Sequence, residues 1–156
     1  MSLEVEINSG SSKDFELAEE GAQAAVLADV VDLGVLETDF GPKRKVQLVY
    51  VLEECDTEGR QKRVFERFTA SLHEKAPLYK RITGPGFGAK VEGAKFDLES
   101  LLGRQLQLVI VHNDGQGKHK GKKFANVQAT MKPRMGQNVT VPEDFQRAKD
   151  RPAKEQ

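Results

Sequence analysis

Between Lys45 and Glu54 the stretch KVQLVYVLEE alternates, with Val46, Leu48, Tyr50 and Leu52 on one side and Gln47, Val49, Val51 and Glu53 on the other. A period of two marks a half-buried strand, because successive side chains point to opposite faces. Upstream, Ala24 to Leu33 (AAVLADVVDL) is apolar and β-branched without a helical stripe, which predicts a first strand running to a turn near Thr38 to Pro42. Asp56-Thr57-Glu58-Gly59 is turn chemistry, since Asp bonds nearby backbone and Gly supplies a positive φ. It predicts a hairpin into a third strand from Lys62 to Thr69. A fourth strand is expected from Gln105 to His112, with Leu106, Leu108 and Ile110 on one face. The fifth spans Lys122 to Met131, turning Ala125, Val127, Ala129 and Met131 inward and Lys122, Phe124, Asn126, Gln128 and Thr130 outward.

The residues between the third and fourth strands read as two short helices. Ser71 and Glu74 have capping-box spacing ahead of a helix from Lys75 to Ile82, with Pro77 in its first turn, where a missing N–H costs little. Thr83 to Gly88 (TGPGFG) breaks the chain; Asp97 then caps a second helix, which Gly103 ends. The order is three strands, a helical insertion at 71–103, and two strands. That order predicts a mainly β fold, a five-stranded oligonucleotide-binding (OB) barrel with a short two-helix insertion between strands three and four. A β-sandwich with an inserted helix pair has the same strand count. The expected organisation is one domain at 21–133 between an acidic flexible N-terminal tail, 1–20, and a polar C-terminal tail, 134–156, frayed from residue 143.

A chain of 156 residues with 38% hydrophobic content can bury a core without metal or disulfide staples. No apolar run approaches the roughly 20 residues of a membrane span, and the acidic start lacks the basic end and apolar stretch of a signal peptide. A cytoplasmic protein with no membrane partner is expected. The single cysteine, Cys55, fits a reducing compartment and sits beside Glu53, Glu54 and Asp56, which disfavour its thiolate. Charge is unevenly spread. The first 20 residues hold six acids and one base, leaving 23 bases and 18 acids elsewhere, a net of +5. The acidic leader reads as a solvated tail or as an anionic strand that competes with nucleic acid for the basic body.

The connection between the last two strands, HNDGQGKHKGKK from His112 to Lys123, combines three glycines with Lys118, Lys120, Lys122 and Lys123, a cluster suited to phosphates. A second basic cluster, Lys43, Arg44 and Lys45, follows the first turn. In OB folds these two loops grip a strand of nucleic acid. On the third strand Arg63, Phe65 and Arg67 share one face, so a ring lies between two guanidinium groups, and Phe124 lies among Lys122, Asn126 and Gln128. Exposed rings between cations give bases a stacking surface. The alternative is that both rings pack beneath a helix or against a second subunit.

Catalytic and metal readings find little. His73, His112 and His119 lack the i, i+4 spacing of a metalloprotease, and His112, Asp114 and His119 form only a loose loop set. Gly84 to Gly88 lacks the Lys-Ser/Thr of a phosphate loop, and no nucleophile elbow surrounds Ser71. No catalytic residue, metal or cofactor is expected.

The strings Thr69-Ala70-Ser71-Leu72-His73-Glu74-Lys75, Leu78-Tyr79-Lys80, Phe96 to Arg104, Val111-His112-Asn113 and Phe124-Ala125-Asn126-Val127 resemble a family of small phage and prophage proteins. The resemblance runs from Ala24 to Pro133. It implies an OB-fold single-stranded DNA-binding protein of replication and recombination gene clusters, partnered by single-stranded DNA and by replication or recombination proteins, and compatible with a homo-oligomer. An OB module that binds another protein is the alternative function. The acidic stretch stands here at the N-terminus, whereas many single-strand binders carry one at the C-terminus. The chain also has no Trp.

Overall fold

The computed structural model describes residues 17–91, 96–114, 123–143, 145 and 147. In chain order these form β1 (Gly21–Thr38), β2 (Gly41–Cys55), β3 (Gln61–Thr69), α1 (Pro77–Thr83), one 3-10 turn (Leu98–Leu101), β4 (Gln105–Asp114) and β5 (Lys123–Met131). The strands make one antiparallel sheet in the order β3-β2-β1-β4-β5. β1 serves two partners: Gly21 to Val26 pair with β4, and Ala25 to Thr38 pair with β2. Register shifts between Leu27 and Asp29 and between Asp32 and Gly34 are bulges of the kind that bend a strand. No ladder joins β3 to β5 among the described residues, so the barrel expected from element order is found as an open, curled sheet.

Apolar faces from all five strands drive the curl. Leu27, Leu48, Tyr50, Val64 and Leu108, with the partly buried Ala125 and Val127, share one core with Leu78 and Ile82 of α1, Phe87 and Leu101. The alternation in β2 holds, since Val46, Leu48, Tyr50 and Leu52 all enter this core. Val51 points the other way, into a second cluster with Ala24, Val26, Ala28, Val139 and the partly buried Phe145. Covered on both faces, this part of the sheet needs continuous apolar sequence, as AAVLADVVDL provides.

The insertion differs from the two helices expected. Among the described residues only α1 is an α-helix, and Leu98–Leu101 is a single 3-10 turn. Asp97 does cap it, accepting from the Glu99 N–H at 3.0 Å. The capping box at Ser71 is unused: the N-cap of α1 is Ala76, and Pro77 alone sets the start. Ser71 Oγ instead accepts from the His73 N–H, and His73 Nδ1 from the Lys75 N–H, so local bonds hold this backbone out of the helix. In β5 the inward set is correct for Ala125 and Val127 but inverts afterwards. Ile110 pairs with Val127 and Val109 with Ala129, leaving Gln128 as an extra residue; Thr130 is consequently buried and Ala129 exposed.

Both sequence-assigned tails contribute described residues to the body. Ala18 is buried, its carbonyl accepts from His112 Nε2 at 2.6 Å, and the Leu17 carbonyl accepts from Lys62 Nζ at 2.9 Å. At the other end Gln137 Nε2 donates to the Ala25 and Leu106 carbonyls, Val139 is buried, and Arg147 pairs with Asp29 at 2.8 Å and Glu99 at 2.9 Å. Gln137, Val139, Phe145 and Arg147 thus strap the outer face of the sheet.

Candidate nucleic-acid interface

The pairing of β2 with β3 builds the site. Lys45 lies opposite Thr69, Gln47 opposite Arg67, Val49 opposite Phe65 and Val51 opposite Arg63, so these rows share the outer face. Two residues beyond Lys45 on the same face, Lys43 pairs with Leu36 of β1. Lys43, Lys45, Arg67 and Phe65 therefore make a track of four rows, roughly 20 Å long at about 3.4 Å per residue. The Lys45 ammonium donates to Thr69 Oγ1 at 2.7 Å, which holds it across the pair.

The basic cluster after the first turn is not a loop. Lys43, Arg44 and Lys45 belong to β2, because a two-residue turn at Asp39 and Phe40 lets the hairpin run on past the core. Gly41 carries the positive φ (98°) needed beside this turn, and Thr38 Oγ1 accepts from the Phe40 N–H and donates to the Gly41 carbonyl. Strand alternation sends Arg44 to the opposite face from Lys43 and Lys45. There it pairs with Asp32 at 2.6 Å, and its guanidinium holds the Asp32 carboxyl below the usual carboxylate range.

At the far end of the track β3 approaches β5 across the unpaired seam. An open cleft of about 290 Å³ lies there, walled by Leu17 and Ala18, by Arg63, Val64 and Phe65, and by Phe124, Ala125 and Asn126. Phe65 is 50% exposed and Phe124 41% exposed, one on each bank. The two rings singled out in the sequence are thus brought to one cleft from strands that are not neighbours in the sheet. Asn126 adds an amide whose Nδ2 donates to Asn113 Oδ1 at 2.8 Å.

Of the other expected residues, Arg63 walls the cleft and also lies 4.8 Å from the centre of the Phe145 ring, so its guanidinium reaches the strap as well. Lys123 pairs with Asp114 at 3.3 Å, on a surface where such a pair is weak and exchangeable. Lys118, Lys120 and Lys122 lie outside the described residues. Sequence reading missed Leu17, which walls the cleft, and the strap. The signal for the strap was Asp29, a carboxylate inside an apolar run, which requires a cation from elsewhere in the chain.

Beneath the cleft the seam is closed by charge. Arg81 of α1 donates to both carboxylate oxygens of Glu66 on β3, at 2.7 to 3.2 Å, and to the Val127 carbonyl of β5 at 3.4 Å. Tyr50 donates to Glu66 at 2.7 Å; burial, with the Glu66 charge adding, pushes its phenol well above the usual value. Among the described residues no group of His, Cys, Asp and Glu is placed to hold a metal ion, and no helix is long and apolar enough to cross a membrane. Comparison with protein-family models and with curated proteins gives no match.

Proposed function

We propose that this chain is an OB-type module that binds single-stranded DNA largely without regard to sequence, in phage-type replication or recombination, and carries out no chemistry of its own. The observation that carries the reading is the convergence of Phe65 and Phe124 on one open cleft at the end of a cationic track. Flat rings on both banks suit an unpaired base, and Arg67, Lys45 and Lys43 suit the phosphates that follow it. A duplex offers no free base to such a slot. The OB assignment rests on the five-strand order, on β1 shared between two hairpins, and on α1 lying under the gap between β3 and β5 through Arg81.

Titration of a labelled oligo-dT by fluorescence anisotropy at low salt tests the proposal against the protein-adaptor alternative. Saturable binding that a duplex of the same length matches only weakly is expected. The adaptor function predicts no saturable binding, and equal affinity for duplex and single strands would remove the stacking argument.

A further inference from the structure

Leu17 and Ala18 form a wall of the Phe65–Phe124 cleft, so the chain reaches the body of the protein at the cleft itself. Lys62 and His112 fasten the two carbonyls from opposite sides of the seam, which fixes that point of entry. Ahead of it stand residues 1–16, with four acids, Glu4, Glu6, Asp14 and Glu16, against the single base Lys13. The apolar residues Val5, Ile7 and Phe15 are interspersed among them. This is the inverse of the face beside the cleft, where Arg67, Lys45 and Lys43 run on in successive rows from Phe65. Length is ample: 16 residues reach up to about 50 Å when extended, more than twice the track. Phe15 lies two residues from Leu17, within about 7 Å along an extended chain, which puts a ring within reach of the slot.

We propose that the acidic segment 1–16 docks on the Phe65–Arg67 face in the absence of DNA, its carboxylates against the track cations and Phe15 at the cleft, and that single-stranded DNA must displace it. This deepens the DNA-binding reading above and rests on it. Covalent attachment gives the segment an effective concentration on the order of millimolar, so even weak docking competes. If it occupies the face about nine-tenths of the time, apparent DNA affinity falls about tenfold. Because both ligands are anionic, the segment also lowers the salt slope, the docked carboxylates having already displaced counterions from the face.

The test compares the full chain with a full-length variant carrying Glu4→Gln, Glu6→Gln, Asp14→Asn and Glu16→Gln, which leaves Leu17 and Ala18 in place. Labelled oligo-dT is titrated into each at low and high salt. The neutralised variant is expected to bind about tenfold tighter at low salt, the advantage shrinking as salt rises. A spin label on Ser9→Cys, in a Cys55→Ser background, gives a readout without DNA: it should broaden the Phe65 and Arg67 amide signals, and added dT should restore them. Equal dT affinity of the two proteins, or amides untouched by the label, overturns the docking proposal and leaves the DNA-binding reading standing. No saturable dT binding by either protein overturns both.

Discussion

Two adjoining stretches of the β3–β5 seam meet the same structural problem in opposite ways. Neither strand finds a main-chain partner across the gap among the described residues. In one stretch Arg81 fills it, doubly bonded to Glu66 and reaching the Val127 carbonyl, with Tyr50 completing the set. In the next stretch Leu17 and Ala18 line the gap but leave an open cleft, with Phe65 and Phe124 about half exposed on its banks. The first uses polar chemistry to hold the fold together. The second keeps apolar surface in water, which costs stability and makes sense where a ligand covers it. Stability and binding should therefore respond to different residues only one strand position apart.

Four substitutions or titrations probe that separation. The largest effect is expected from Arg81→Met, which strands the Glu66 carboxylate in a site where it is 10% exposed and should cost about 3–5 kcal/mol in a urea melt. Wild-type stability after this change would mean that the seam is not held by charge. Phe65→Leu or Phe124→Leu should leave the melt nearly unaltered yet weaken dT binding by about 1–3 kcal/mol with an unchanged salt slope. A matching loss of stability would assign the rings to the fold. Third is the alkaline limb of the stability curve. Because the folded-state pKa of Tyr50 is raised, its contribution is complete below about pH 10 and is lost as pH rises, by up to about 1.4 kcal/mol per pH unit. Tyr50→Phe should flatten that limb, and an identical slope in the variant would refute the assignment.

The smallest effects concern the track. Lys43→Ala with Arg67→Ala should reduce the slope of log K against log salt by about 1.4, or about 0.7 per phosphate contact. Arg44→Ala, on the opposite face and paired with Asp32, should leave it near the wild-type value. Equal effects from Arg44 and Lys43 would show that cations on both faces contribute and that no track exists.

The sequence carried more of the fold than of the site. Period-two alternation located β2, β4 and β5, while β-branched composition and turn chemistry located β1 and β3; the inward set Val46, Leu48, Tyr50 and Leu52 is correct because the extra residues of the bulges fall on β1 and β3 pairs with β2 in unbroken register from Lys45 to Val51. It failed where geometry depends on a partner strand: the bulge at Gln128 that buries Thr130 is set by pairing with β4 and leaves no mark in local pattern. The helix start failed for another reason, since Ser71 and His73 spend their acceptors within the preceding loop. For the site, the rings on β3 and β5 were legible as apolar residues on polar faces. Their convergence was not, because it arises from the curl of the whole sheet. Composition also does not separate Lys43, on the track, from Arg44, one residue on and paired with Asp32.

The central claim is that Phe65 and Phe124 stack on bases, and aromatic proton NMR of the free and dT-bound protein addresses it most directly. The account predicts that the Phe65 and Phe124 ring resonances move upfield on binding, while those of Phe87, buried in the core against Tyr50, stay in place. Saturable dT binding that leaves both cleft rings unshifted would contradict it.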